Sequence, residues 1–124
     1  MSKTYGPYAS AREAAGLVFV AGQVGVNPQT KEASADFEDQ LVQALENLSS
    51  VLGENSLSLH DVVNVRVYLT DINLFETMNK VYERYFEGIA PSRECVGVAS
   101  LPKVAKNAPL LVEVSAVASR GSHG

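Results

Sequence analysis

The chain has 124 residues, of which 46% are hydrophobic and 19% are charged, and its formal net charge at pH 7 is −4. This length and composition fit one folded domain and argue against a disordered or fibrous protein. The net negative charge gives no indication of the clustered lysines and arginines that bind phosphates, so we expect no nucleic-acid partner.

The ends of the chain and its cysteine count bear on the cellular compartment. Residues 1–22 lack the charged and apolar regions of a signal peptide, and no segment reaches the length of a membrane span. Cys95 is the only cysteine, which is typical of a reducing compartment. We expect a cytoplasmic protein with no membrane partner. Residues 1–119 should form the domain, while RGSHG at 120–124 is typical of a cloning remnant, so we assign His123 no role.

The first half of the chain is predicted to form a strand and then a helix. Residues 17–26 are apolar and rich in β-branched side chains. Gly22 and Gly25 interrupt them, which indicates a strand that bends or that another group approaches closely. Apolar residues then recur at helical spacing over 37–52, and Gly53 is placed to end that helix.

The middle of the chain is predicted to form a strand and a second helix. SLHD at 58–61 is typical of a capped turn. Apolar and polar residues alternate over 63–69, with Val63 and every second residue after it on the buried side. NLFE at 73–76 indicates a capping box at the start of the second helix, and Gly88 is placed to end it.

The order of elements predicts an α/β (α+β) sandwich in which two helices pack on one face of a mixed β-sheet. Two more strands are expected at 94–99 and 110–118. Both faces of the last strand are partly apolar, since Val112 and Val117 point in opposite directions. Two helices cover only one face, so we expect a second copy of the chain to cover the other and the protein to be a homo-oligomer.

The segment PSRECV at 91–96 places an arginine and the only cysteine on one face of a strand. If Val96 and Val98 pack on the helices, Arg93 lies on the uncovered face, where its guanidinium needs an acceptor. A ligand carboxylate would serve, with two parallel hydrogen bonds. The pattern alone favours the alternative, a salt bridge between subunits. We expect the thiol of Cys95 to be packed and inert, because no histidine base lies in a suitable motif.

The second candidate residue is Glu113, which interrupts the apolar sequence LLVEVSAV. A carboxyl group there must be paired, or its pKa must rise. It is either a base that directs water or the structural partner of Arg93, and the pattern does not separate the two. Tyr8 and Asn79 are polar groups that indicate no site by themselves. The sequence lacks metal-ligand spacing and a phosphate-binding glycine loop, so we expect no metal and no cofactor.

Six segments along the chain carry a resemblance to a known family. They are GPY at 6–8, AGQVGVNPQT at 21–30, NL at 47–48, DVVNVRVYLTDINLFETMNKVYERYF at 61–86, PSRECVGVASLPK at 91–103 and VEVSAVA at 112–118. Together they resemble the arginine-bearing branch of the reactive intermediate deaminase family, the RidA/YjgF-like proteins. The resemblance covers almost the whole chain. It implies a chorismate-mutase-like fold and a homotrimer with three active sites in clefts between subunits.

The resemblance also implies a reaction and a set of site residues. Family members of this branch hydrolyse 2-imino or enamine acids to 2-keto acids and ammonia without a cofactor, as 2-iminobutanoate/2-iminopropanoate deaminases do. Arg93 matches the arginine that binds the substrate carboxylate, and Glu113 matches the glutamate that positions the attacking water. Tyr8, Asn79 and Cys95 match residues that line the substrate site. The side chains at 93 and 113 must then open into one crevice formed by adjoining protomers.

Several positions depart from the family pattern and leave alternatives open. Ala21, Ser10 and Ser115 replace residues that are common in the family, and the loop at 104–109 is longer than usual. These positions border the pocket, so they bear on substrate preference more than on the class of reaction. One alternative is a non-catalytic protein that binds or senses 2-keto acids or amino acids. An endoribonuclease or translation inhibitor is less favoured, because the chain is acidic.

Overall fold

The structure is a computed structural model that describes residues 4–121. Its five strands are β1 (Ala11–Ala14), β2 (Leu17–Val24), β3 (Val62–Leu69), β4 (Ser92–Gly97) and β5 (Val112–Ser119). Its two α-helices are α1 (Phe37–Glu54) and α2 (Phe75–Phe86). Short 3-10 turns at Leu59–Asp61 and Ile72–Leu74 lead into β3 and α2.

The strands form one sheet in the order β1-β2-β5-β3-β4. All neighbours are antiparallel except β3 and β4. These two run parallel because α2 carries the chain from the end of β3 back to the level where β3 began. The mixed sheet predicted from the sequence is therefore confirmed.

Both helices pack on the same face of the sheet, which we call the helix face. Val65, Val67 and Leu69 of β3 are buried on this face, in one core with the leucines of α1 and with Met78 and Val81 of α2. The even-numbered residues of β5, from Val112 to Ala118, join the same core. Asp36 caps α1 by accepting a hydrogen bond from the backbone N–H of Asp39. The predicted sandwich of two helices on one face is thus confirmed.

The bend predicted in β2 is present. The pairing of β2 with β5 shifts between Val20 and Gln23. An extra residue in one strand reverses the alternation of side chains, so Val24 points to the opposite face from Val20. A Cβ atom built on Gly25 would lie 2.8 Å from the carbonyl carbon of Gln40. The backbone of α1 can therefore approach this point only because the residue is glycine.

Strand β1 is not among the strands predicted from the sequence. Its four residues, AREA, form a hairpin with β2. The two residues of the turn, Ala15 and Gly16, have φ angles of 54° and 78°, and positive φ at both central positions suits the twist of a hairpin. Ala15 gave no turn signal, which is why the hairpin was missed.

Two predicted helix ends differ from the structure. Gly53 lies inside α1, which continues to Glu54, and the chain leaves the helix near Ser56, whose φ is 61°. The prediction of a capping box at 73–76 was wrong. Asp71 caps a 3-10 turn before α2, and α2 itself has no side-chain cap. The capped turn at 58–61 and the stop at Gly88, with φ of 78°, are confirmed.

The predicted burial of Val63 was also wrong. The pairing of β3 with β5 shifts between Val62 and Asn64. The extra residue buries Val62 and leaves Val63 40% exposed, because the alternation changes phase at a bulge. Alternation in the rest of β3, from Val65 to Leu69, agrees with the prediction.

A second, smaller core holds the loop between β4 and β5 in place. Its buried members are Val24, Val26, Ala33, Ala105 and Leu110. Asn107 fixes the loop by exchanging two side-chain hydrogen bonds, of 3.0 and 2.7 Å, with the backbone of Ala33. As a result Pro102 and Val104 lie beside Glu113.

The sheet face opposite the helices, which we call the open face, is only partly covered in the single chain. Phe19 is 44% exposed and Val96 is 47% exposed. Among residues 4–121, no helix combines the length and the apolar character needed to cross a membrane. Arg120, assigned above to the tail, pairs with Glu13 of β1 at 3.0 Å, whereas His123 lies outside the described residues.

Candidate active site

Arg93 lies on the helix face, under α2. It pairs with Val65 in the parallel register of β3 and β4, and Val65 is buried in the main core. Its guanidinium carbon lies 4.8 Å from the ring centre of Tyr82 and 5.5 Å from that of Phe75. Its Nη1 also lies 3.9 Å from the sulfur of Met78. The arginine is therefore held by the aromatic and sulfur groups of one helix.

This placement corrects one expectation. Arg93 was expected on the open face if Val96 packed on the helices. Val96 is instead exposed, so Arg93 lies on the helix face. The physical reason is the register of β4, which aligns Arg93 and Cys95 with the buried residues Val65 and Val67. An arginine tolerates this face because its aliphatic stem packs on apolar groups while the charged head reaches the edge.

The guanidinium of Arg93 has no carboxylate partner within the described chain. The ion pairs formed among residues 4–121 join Arg84 to Glu38 and Arg120 to Glu13. Aromatic faces attract a cation by about 0.5–2 kcal/mol without using its N–H donors. Among the described residues, only the sulfur of Met78 accepts a hydrogen bond from the guanidinium, and this acceptor is weak. Arg93 can therefore bind an anion supplied from outside the chain.

Asn79 and Cys95 lie close to this arginine in the fold. Asn79 follows Phe75 by one helical turn on α2, so the two share a face. Its side-chain oxygen is buried and accepts no hydrogen bond from the described residues. Cys95 is half-buried on the same face of β4 as Arg93. Burial raises the pKa of its thiol, an effect that the nearby Arg93 partly opposes, which agrees with the prediction of an inert thiol.

Glu113 lies on the other face of the sheet. On β5 it pairs with Val24 and with Tyr68, and it points away from the helices. Its carboxyl group lies over the backbone of Gly22, since a Cβ atom built there would be 2.6 Å from the carboxyl carbon. Burial raises the pKa of Glu113. Within residues 4–121 no hydrogen bond or ion pair to this carboxylate is found, so it too can act on an external group.

Tyr8 lies near Glu113 across a small cavity. The cavity has a volume of about 160 Å³ and is lined by Tyr5, Tyr8, Gly22, Val24, Pro102, Val104 and Glu113. The hydroxyl of Tyr8 accepts a hydrogen bond of 3.3 Å from the backbone N–H of Tyr5. The structure therefore brings Tyr8 and Glu113 together.

The two groups of candidate residues are separated within one chain. Arg93 aligns with Val65 and through it with Ala116, three residues from Glu113 on β5. Two strand spacings and three residues along a strand amount to roughly 14 Å between the Cα atoms, and the side chains leave opposite faces of the sheet. One chain thus presents an arginine half, with Asn79 and Cys95, and a glutamate half, with Tyr8.

Sequence reasoning missed three contributors to these halves. Phe75 and Tyr82 have the spacing of residues on the buried side of a helix, which gives no sign that their rings contact Arg93. No role was predicted for Tyr5, because it lies outside any segment with helical or strand periodicity. The close approach predicted at Gly22 is confirmed, and its partner proves to be the carboxyl group of Glu113. Among the described residues no cluster of histidine, cysteine and carboxylate side chains is placed to hold a metal ion.

Comparison with known proteins yields consistent similarities. Residues 2–120 match the family model described as Endoribonuclease L-PSP. The chain is 38% identical to TdcF of Escherichia coli over 120 residues, which cover 94% of this chain and 89% of TdcF. It is 36% identical over 118 residues to the 2-iminobutanoate/2-iminopropanoate deaminase of the same species, covering 93% and 88% of the two chains. The crystal structure of TdcF with bound serine superimposes with a TM-score of 0.85, covering 94% of this chain and 91% of that one.

Proposed function

The chain belongs to the Endoribonuclease L-PSP family, which includes the reactive intermediate deaminases, and we propose that it hydrolyses 2-imino or enamine acids to 2-keto acids and ammonia. Arg93 binds the carboxylate of the substrate and Glu113 positions the water that attacks carbon 2. Tyr8, Asn79 and Cys95 line the site. No cofactor takes part in this scheme, since a protonated imine is already electrophilic and orientation supplies much of the acceleration.

The observation that carries the proposal is the state of Arg93. Its guanidinium is held against the rings of Phe75 and Tyr82 without a carboxylate of its own chain. A purely structural arginine at this depth would be expected to have an ionic partner. A guanidinium group that is fixed in place and has no carboxylate partner in its own described chain is suited to bidentate binding of a ligand carboxylate. Such a contact is worth about 1.5–3 kcal/mol.

The separation of the two halves supports a site between protomers. The carboxylate of a 2-imino acid is attached directly to the carbon that water attacks, so both halves must meet around a few atoms. Within one chain the sheet stands between Arg93 and Glu113. We therefore infer that the arginine half of one protomer faces the glutamate half of its neighbour. A homotrimer, with the open faces covered, would contain three such sites.

The chemistry then follows from the groups present. Glu113, whose pKa is raised by burial, takes a proton from water as the oxygen attacks carbon 2. The carbon–oxygen bond forms while the carbon–nitrogen double bond becomes single. Return of the proton to nitrogen makes the amine a leaving group. The carbon–nitrogen bond then breaks as the hydroxyl oxygen becomes the carbonyl of the 2-keto acid, and the hydroxyl proton leaves with ammonia as ammonium. Glu113 ends in its starting state, so no other reactant than water is consumed.

Keto-acid release from oxidase-generated 2-imino acids tests the proposal. We expect Arg93→Ala to lower kcat/KM by about 10- to 150-fold, the equivalent of a lost charge-assisted contact. Glu113→Gln should lower kcat. Arg84→Ala is the matched control, since this arginine of α2 is exposed and pairs with Glu38 on the surface. Equal rates for wild type and Arg93→Ala would refute the assignment.

The same variants decide the alternative role of Arg93. If this side chain is a salt bridge between subunits, Arg93→Ala should reduce the mass of the assembly measured by light scattering. If it binds substrate, the assembly should persist while activity falls. The mass and the rate therefore separate the two roles.

A binding protein without catalysis is the second candidate, and the serine bound to TdcF favours it. Such a protein would melt at a higher temperature with 2-keto acids or amino acids, because ligands stabilise the state that binds them. It would not accelerate imine hydrolysis. Turnover above the uncatalysed rate, lost in Arg93→Ala, would exclude this candidate.

A further inference from the structure

The cavity beside Glu113 has mostly apolar walls, and a 2-imino acid with a short side chain would contact few of them. Apart from Glu113 and Gly22 on its floor, it is lined by the side chains of Tyr5, Tyr8, Val24, Pro102 and Val104. Neither the sequence pattern nor the proposed mechanism uses Tyr5. The aromatic wall that Tyr5 adds to this cavity therefore calls for a role.

Tyr5 is held in place by the segment that carries Tyr8. Its backbone N–H donates to the hydroxyl of Tyr8. The carbonyl of Gly6 accepts hydrogen bonds from the Thr4 hydroxyl at 3.0 Å and from the Tyr8 N–H at 2.9 Å. These bonds fold residues 4–8 into a tight turn, so the two rings form one surface. Tyr5 and Tyr8 remain 54% and 48% exposed, which leaves area for a ligand to cover.

The volume of the cavity suits a bulky apolar side chain. An apolar cavity of about 150 Å³ accommodates benzene, and this cavity measures about 160 Å³. A methyl or ethyl group would leave most of that space to water. The side chain of a 2-imino acid is attached to the carbon that Glu113 addresses, so the cavity lined by Glu113 is the nearest space for it.

We propose that this cavity receives the side chain of the substrate and that Tyr5 makes the protein selective for 2-imino acids with a bulky apolar side chain, aromatic or branched. This inference rests on the proposed function. The wall atoms favour such a group because burial of an apolar side chain of this size is worth a roughly 10- to 150-fold gain in affinity. A small side chain gains little from the same walls.

The test compares the 2-imino acids derived from phenylalanine and from alanine. For wild type we expect kcat/KM to be at least about 10-fold higher for the aromatic substrate. Tyr5→Ala should reduce this ratio about 10-fold, and Tyr5→Phe should retain it because the ring remains. Tyr85→Phe, which loses a bond to Glu46 on the outer surface, is the control and should keep the ratio.

Calorimetry separates failure of this inference from failure of the proposed function. Phenylpyruvate should bind more tightly than pyruvate to wild type, and Tyr5→Ala should remove the difference. This result without any imine turnover would refute the deaminase and leave the cavity assignment standing. Turnover with equal kcat/KM for both substrates, or a ratio unchanged in Tyr5→Ala, would overturn the inference and leave the deaminase standing.

Discussion

Substitution of Gly22 by alanine tests whether the position of the Glu113 carboxylate controls the reaction. Gly22 does not have a positive φ, so its backbone accepts an alanine. The new methyl group, however, would occupy the space of the carboxyl group, whose carbon lies 2.6 Å from the Cβ position. The flexible end of Glu113 must move away, while the backbone of both strands can stay.

The size of the effect follows from this displacement. An ordinary contact begins at 3.4 Å, so the carboxyl group must move by roughly 1 Å, and a misplacement of about 1 Å can cost about 100-fold in rate. We therefore expect kcat to fall about 100-fold in Gly22→Ala. The free energy of unfolding should change by less than about 1 kcal/mol, because alanine restricts the unfolded chain and only a side chain shifts.

The assay is keto-acid release from 2-imino acids, together with urea unfolding of the same preparations. Gly53→Ala is the control, since a Cβ atom built there meets nothing within 4 Å; it should keep its activity and gain up to about 1 kcal/mol in α1. A folded Gly22→Ala protein with wild-type kcat would refute the role of Glu113 in directing water.

Three further predictions concern burial, clamping and assembly. Burial raises the pKa of Glu113, so Glu113→Gln should exceed wild type in Tm at pH 7; this difference should shrink as the pH falls and vanish below the ordinary pKa of 4.5, where the carboxyl is protonated in both the folded and the unfolded chain. Tyr82→Leu should weaken 2-keto acid binding about 2- to 30-fold in calorimetry, whereas Tyr82→Phe keeps the ring and should not. Light scattering should give an assembly of three times the chain mass of 13.3 kDa. Val96→Glu, on the open face, should reduce this mass, and an unchanged mass would contradict the proposal that neighbouring protomers cover the open face.

The fold was predictable where side-chain periodicity is strong. The helical spacing of residues 37–52 and the alternation in β3 from Val65 to Leu69 reflect burial on one side, which sequence records directly. Predictions failed where backbone geometry decides. The hairpin at Ala15 and the bulge at Val63 depend on local dihedral angles and strand pairing, for which these residues give no signal.

The candidate site was predictable only as a set of residues. Arg93 and Glu113 stood out because charged side chains are rare in apolar strands, and the family resemblance supplied Tyr8, Asn79 and Cys95. Their grouping was not predictable. Tyr8 lies near Glu113 because the turn at residues 4–8 and the loop between β4 and β5 line the same cavity, next to the bulge of β2.

The sequence by itself determined the buried side of α1 and of β3 from Val65 to Leu69, and which side chains carry reactive chemistry, because both follow from residue type and spacing. Only the tertiary structure decided that Arg93 lies under α2 and that Glu113 lies on the opposite face. The reason is that a strand's alternation defines two faces without stating which one meets the helices. That choice comes from the register with the neighbouring strand, where Arg93 is aligned with the buried Val65.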